Sequence, residues 1–338
     1  MLKHLMRKET GIFVLLVVVC IVTAMKSPHF LGVENLQNTA RLIGLYGIFS
    51  IGAGMVIITG GIDLSVGSMF ALLGVVLAML LDPTEKNWPK LLSFFNGSHL
   101  GWPIAVLIVL GLGTALGVFH GYLITRVKLQ PFIVTLCGLL FYRGIARFIA
   151  DDNTKGFGDA KGFESLQKAA TGMVFGLPVT FVILIVLAIV MWVVLHRTVY
   201  GRHLFAVGRN EEAARYSGIN TKRVIASAYI VSGLLAGAAG ILIAFYTNSI
   251  SPSSHGNSYE LYGIAAAVLG GCSLRGGEGS IVGIVLGTIL LQVLQNLVNL
   301  LGIPSSLSVA VIGAVILAGV LADQLFTNRS KVGKAKAA

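Results

Sequence analysis

The chain has 338 residues, of which 55% are apolar and 12% charged, and its mean hydropathy is +0.86. A soluble domain carries about 25% charged residues, so the composition excludes that class and points to an integral membrane protein, with apolar runs spread through one domain, 1–338. The net charge of +11 lies in clusters, none long enough or interleaved with aromatics to suggest nucleic acid, which leaves membrane lipid as the expected surroundings.

Lys3, Arg7 and Lys8 precede the apolar run Gly11–Met25. No small-x-small cleavage site follows, and Val17-Val18-Val19 lacks the small residues expected before a lipidated Cys20, so the run reads as a retained first span. At about 20 residues per membrane helix, apolar segments follow at 42–59, 66–81, 102–124, 131–150, 176–195, 225–246, 261–272, 281–301 and 307–325. The fold class is therefore all-α with about ten transmembrane helices; 11–25, 66–81 and 261–272 are short, and the last of these reads as a half-helix or re-entrant segment. Cys20, Cys137 and Cys272 lie in apolar stretches without metal-ligand spacing and read as small core residues.

Between the second and third segments stands Thr59-Gly60-Gly61-Ile62-Asp63-Leu64-Ser65-Val66-Gly67-Ser68. Gly60 and Gly61 are expected to end one helix, and Asp63 or Ser65 to cap the next. Broken backbone at membrane depth is tolerated only where protein or water satisfies it, so the break should face the interior or a cavity. Asp63 reads as a cap or interior ion-pair partner in preference to a direct ligand. In the fifth segment Arg143 and Arg147 are four apart; each either snorkels outward, or Arg147 pairs with Asp151 and Arg143 with a carboxylate such as Asp63. A second glycine-rich break, Gly270–Ser280, precedes the ninth segment. There Gln292, Gln295, Asn296 and Asn299 fall at i, i+3, i+4 and i+7 on one helical face. Amides donate and accept as sugar hydroxyls do, so the stripe suits a polyol pathway; it equally suits helix–helix glue.

Lys and Arg mark cytoplasmic loops. They cluster in the N-terminal segment, at Arg126 and Lys128, in the loop 197–224 and in the basic tail 326–338 (Arg329, Lys331, Lys334, Lys336), and ten spans place all four clusters on one side. Both termini are expected in the cytoplasm. The opposite loops are of mixed sign, with Asp82, Glu85, Asp151, Asp152, Asp159 and Glu164. Within 197–224, Asn210–Tyr216 reads as a short amphipathic helix with Asn210 as cap and Gly218 as stop: a basic anchor, or a docking helix for a cytoplasmic partner.

Glu212-Ala213-Ala214 with Gly218 four residues after Ala214 resembles the first half of the EAA-x-x-x-G element by which permeases of ATP-binding-cassette importers engage their ATPases; the later Ile-x-Leu-Pro part is missing at Ala226–Ser232. The chain from about 10 to 325 resembles the ribose/xylose/galactose-type permeases of such importers. The matching elements are Thr59–Ser68, Gln130–Leu136, Arg143-Gly144, Tyr200–Ile219 and Leu269–Ser280. His120 departs from the asparagine usual there, which bears on specificity if that position touches substrate. The resemblance implies a pore-forming subunit with no cofactor, which moves a monosaccharide by alternating access. Its implied partners are a second copy or sister permease, cytoplasmic ATPase subunits docking on Arg209, Asn210, Glu212, Ala213, Ala214 and Gly218, and an extracytoplasmic sugar-binding protein, at a bacterial inner membrane. Consistently, the sequence has no G-x-x-x-x-G-K-[S/T] phosphate loop. The pathway or core candidates are Gly60, Gly61, Asp63, Ser65, His120, Arg143 and the four amides. The rivals are a branched-chain amino acid or nucleoside permease of the same superfamily, an ion-coupled secondary transporter, which would more often bury several carboxylates, and, further off, an intramembrane enzyme.

Overall fold

In the computed structural model, residues 2–82, 101–157 and 163–304 are described, with isolated helical positions from 307 to 317. The helices are α1 (Leu2–Lys26), α2 (Val33–Ile58), α3 (Val66–Leu81), α4 (Trp102–Thr125), α5 (Pro131–Ile149), α6 (Phe163–Thr171), α7 (Val179–Arg197), α8 (Val199–Arg209), α9 (Glu211–Tyr216), α10 (Thr221–Thr247), α11 (Tyr259–Leu269) and α12 (Ile281–Leu300). A two-stranded antiparallel hairpin, β1 (Met173–Val174) and β2 (Leu177–Pro178), leads into α7.

Seven of these helices are long and apolar enough to cross a membrane: α1, α2, α4, α5, α7, α10 and α12. The third and eighth expected segments are the shorter apolar helices α3 and α11. At 1.5 Å per residue the 11 residues of α11 span roughly 16 Å, about half a hydrocarbon core. The tenth segment, 307–325, lies outside the described residues except at isolated helical positions, as do the tail 326–338 and most of the loop after α3.

The centre is formed by α2, α3 and α10. From Ile43 onward α2 is buried almost without interruption, and α3 is buried at every position but Val76. Small residues let neighbours approach it on several sides: Gly44 lies against the backbone of Thr180 in α7, Gly52 against Ser232 in α10, and Gly54 against Ile284 in α12. Around this core α4, α5 and α7 expose large apolar side chains such as Leu107, Phe119, Leu140, Phe141, Val186 and Ile189, as lipid-facing or partner-facing helices do. Leu16 and Phe30 anchor α1 and the turn after it on Leu290, Val293 and Leu294 of α12.

Two expectations are corrected here, and one helix is added within the loop 197–224. The second span begins at Val33, nine residues before the apolar run, because the polar turns of α2 find partners: Arg41 donates to Thr171 O at 3.1 Å, and Asn35 pairs with Asn296. The added helix is α8, Val199–Arg209, ahead of the short helix expected at Asn210–Tyr216; it is started by Thr198 Oγ1 accepting from Gly201 N. Arg147 pairs with Asp152, not Asp151, at 2.6 and 3.0 Å, because α5 ends at Ile149 and the next turn places Asp151 and Asp152 at φ +54° and +53°. That hydrogen bond and the guanidinium charge hold the exposed Asp152 carboxyl below the usual carboxylate range.

Candidate functional site

The break Thr59–Ser65 builds a buried polar knot. Ile58 ends α2, Gly60 turns the chain at φ +84°, and Asp63 is 3% exposed. Asp63 Oδ1 accepts from Ser65 N at 3.0 Å and from Ser65 Oγ at 2.7 Å, while Oδ2 accepts from Ser232 Oγ of α10 at 2.9 Å. Asp63 therefore fixes the turn before α3 and ties it to α10 with no cationic partner among the described residues; Ser65, at the N-cap position, makes no side-chain cap bond. His120 lies beside this knot, buried, sharing a 2.8 Å hydrogen bond with Tyr142 Oη and facing the ring of Tyr229 edge-on. Thr135 Oγ1 donates to Ile62 O at 3.2 Å, so the Pro131–Leu136 element also braces the break. A buried charge held by three short-range donors is a structural clasp.

Arg143 takes no part in that knot. Its Nη1 donates to Pro252 O at 3.1 Å and His255 O at 2.7 Å, and Nη2 lies 3.4 Å from Gly67 O. The expected carboxylate partner is replaced by carbonyls of the irregular segment 251–258, which folds back beside the first turn of α3. Around Arg143 lies an open groove of about 340 Å³, lined among others by Ser68, Gly144, Asn257, Ser258 and Glu260. Glu260, one residue before the apolar segment expected at 261, is a second carboxylate among the membrane helices; its side chain reaches the backbone of Gly67.

The short helix expected at Asn210–Tyr216 is formed as α9, and its surface is open. Asn210 Oδ1 caps α9 by accepting from Ala213 N at 2.9 Å, Ala214 is buried, and Arg209, Asn210, Glu212, Ala213 and Gly218 are exposed. Glu211 Oε1 accepts from Thr221 Oγ1 at 3.0 Å, tying α9 to the start of α10. Just before α9, at the C-terminal end of α8, three backbones meet. Gly277 N donates to Ile58 O at 2.9 Å. A methyl group built on Gly208 would lie 1.8 Å from that same oxygen, and one on Gly276 would lie 2.6 Å from Gly208 O and 2.9 Å from Gly60 N. The two glycine-rich breaks, 218 residues apart by the numbers of Ile58 and Gly276, thus close on the C-terminal end of α8.

The amide stripe is divided. Asn296 and Asn35 exchange side-chain hydrogen bonds at 2.7 and 3.1 Å, gluing α12 to α2; Gln292 is buried with Oε1 unpaired, Gln295 is half-buried and Asn299 exposed. None of the four lines the groove. Missed in the sequence were Tyr142, Tyr229, Ser232 and Glu260. Also missed was Gly113-x-x-x-Gly117-x-x-x-Gly121, a small-residue ladder that brings α4 onto α10 at Gly233, Ile230 and Ala226; its four-residue spacing was a readable signal. Among the described residues no group of three or more His, Cys, Asp or Glu could hold a metal.

A family model described as branched-chain amino acid transport system / permease component matches residues 35–320. The chain is a member of that permease family. The permease is 37% identical to the ribose import permease protein RbsC of Bacillus subtilis (93% of this chain, 91% of the relative). It is 35% identical to RbsC of Escherichia coli K12 (95% of each) and 31% identical to the fructose import permease protein FruF of Bifidobacterium longum (90% and 83%). No solved structure matches it.

Proposed function

We propose that this permease is the pore-forming subunit of an ATP-binding-cassette importer that moves a monosaccharide inward across a bacterial inner membrane by alternating access. The observation that carries the reading is the end-to-end likeness to sugar import permeases: relatives named for ribose, fructose and allose align over at least nine-tenths of this chain. The amino-acid description attached to the family model gives the rival substrate class, and the relatives favour the sugar.

In this reading both termini and the loop 197–224 face the cytoplasm, ATPase subunits dock on α9, and an extracytoplasmic sugar-binding protein delivers the substrate. The chain itself supplies no ATP site. A second copy would cover the face of α5 that the protomer leaves open, formed by Ile133, Leu136, Cys137, Leu140, Gly144 and Arg147. That face carries the groove around Arg143 and Glu260, and charged groups at membrane depth are costly against lipid, which favours a water-filled passage between the copies. Helix docking followed by rocking of packed cores is the form of motion expected.

The test is uptake into inverted-control and right-side-out vesicles carrying the permease with its ATPase and binding protein. Sugar uptake should follow ATP and not a proton or sodium gradient. Ala213→Asp, on the exposed side of α9, should abolish uptake while the permease still inserts and folds. Undiminished uptake in that variant removes the docking assignment, and gradient-driven uptake without ATP removes the importer class.

A further inference from the structure

We infer that the groove between α5, the segment 251–258 and the start of α11 is a binding site for a neutral monosaccharide on the import path, with Glu260, Asn257, Ser258 and Arg143 as its hydrogen-bonding groups. This rests on the proposed sugar-importer function.

Depth comes first. Arg143 lies six residues from the end of α5, about 9 Å along the axis, and its guanidinium reaches Gly67 O, which lies 14 residues, about 21 Å, below the end of α3 at Leu81. Glu260 touches the same glycine. Both charges therefore sit within the hydrocarbon thickness of about 30 Å. The chain from 251 to 258 is irregular at that depth, with Gly256 at φ +71° and Ser258 at φ +65°. Non-glycine backbone in the left-handed region is strained and gathers at binding sites, and irregular backbone at membrane depth is found where it lines a cavity.

The donor and acceptor set comes next. Of the five N–H groups of a guanidinium, three on Arg143 are taken by Pro252 O, His255 O and Gly67 O, so two remain for a ligand. Asn257 and Ser258 are exposed and line the groove, and among the described residues neither the Asn257 side-chain amide nor the Ser258 hydroxyl makes a protein hydrogen bond. Glu260 adds acceptor capacity. Hydroxyls that both donate and accept fit this mixed set, and Leu139 and Leu140 provide an apolar wall for the C–H face of a sugar ring. A volume of about 340 Å³ lies within the range of small-molecule sites, roughly 300–1,000 Å³.

The experiment uses the assembled importer in vesicles, and the probe is whichever of D-ribose, D-fructose or D-allose the wild type takes up under ATP. Glu260→Gln should raise the uptake KM about tenfold, since a charge-assisted hydrogen bond becomes a neutral one, with ATPase activity still stimulated by the binding protein. In a Cys137→Ser background, Asn257→Cys should react with a membrane-impermeant methanethiosulfonate, and that sugar, but not L-leucine, should slow the reaction. Unprotected labelling together with an unchanged KM for Glu260→Gln overturns the site while leaving the sugar importer standing. Protection by L-leucine alone overturns the site as a sugar site, and a wild type that takes up none of the three sugars under ATP overturns the function on which it rests.

Discussion

Gly208→Ala tests the junction where the loop 197–224 meets the two glycine-rich breaks. The added methyl carbon would lie 1.8 Å from Ile58 O and 2.5 Å from Gly277 N. Carbon and carbonyl oxygen rest about 3.3 Å apart at closest, so the backbones must separate by about 1.5 Å, and no flexible side chain stands there to yield instead. Separation of that size breaks the 2.9 Å bond from Gly277 N to Ile58 O, leaving the last carbonyl of α2 unpaired at about 1–3 kcal/mol. Overpacking adds about 1–3 kcal/mol. The expected loss is about 2–6 kcal/mol, read as a lowered thermal midpoint of the detergent-solubilised importer, with ATP-driven uptake falling further than the midpoint because α8 no longer bears on either break. Gly218→Ala is the comparison. Nothing lies within 4 Å of its added methyl, so the cost is the left-handed backbone alone, about 1–2 kcal/mol at φ +83°. A Gly208→Ala importer with wild-type midpoint and uptake would refute the reasoning.

Asp63→Asn should leave uptake KM unchanged, because the Ser232 hydroxyl turns to accept from the new amide, whereas Asp63→Ala should cost about 2–4 kcal/mol by stranding the Ser65 N–H and two hydroxyls; lost uptake with an intact midpoint in Asp63→Asn would make Asp63 a substrate ligand instead. Asn296→Leu should lower the midpoint by about 1–2 kcal/mol through the stranded Asn35 amide and leave KM alone; a raised KM at unchanged midpoint would return the amide stripe to the pathway. Gly117→Ala should destabilise by about 1–3 kcal/mol, since its methyl would meet the backbone of Tyr229 and Ile230, and an unchanged midpoint would show that α4 and α10 can part without loss.

What was legible in the sequence was local. Glycine punctuation and capping chemistry act within a few residues, so the ends of α2 and α11, the cap at Asn210 and the stop at Gly218 stand where they were expected. Apolar length located nine segments, and it missed what is polar or amphipathic: the first turns of α2 at Val33–Arg41, which tertiary partners carry, and the helices α6 and α8, the latter held in close packing at Gly201 and Gly208. The groove was not legible for the same reason in reverse. Arg143 finds Gly67, Pro252 and His255 at separations of 76, 109 and 112 residues, and no spacing rule reaches that far. Glu260 was passed over because it stands one residue outside an apolar run.

The placement of α3 explains why the break before it is so polar. On one side its entry turn is locked: Asp63 holds Ser65 and Ser232, and Gly138 of α5 leaves room for Ser65, His120 and Tyr142 to close together. On the other side its first turn is packed against the groove wall: Gly67 O accepts from Arg143, and a methyl group on the buried Gly67 would lie 2.1 Å from Glu260 Oε2 and 2.3 Å from Gly256 O. Seven residues separate Gly60, which touches the docking junction through Gly276, from Gly67 at the groove. A displacement of α8 therefore has a short, hydrogen-bonded route to the groove, and the buried carboxylate between them keeps that route stiff. In a flexible turn the same push would dissipate in backbone rotation. A buried charge that binds nothing but its own fold is costly unless fully satisfied, and here its three donors make the entry of α3 a rigid lever between the loop 197–224, where ATPase docking is proposed, and the open groove.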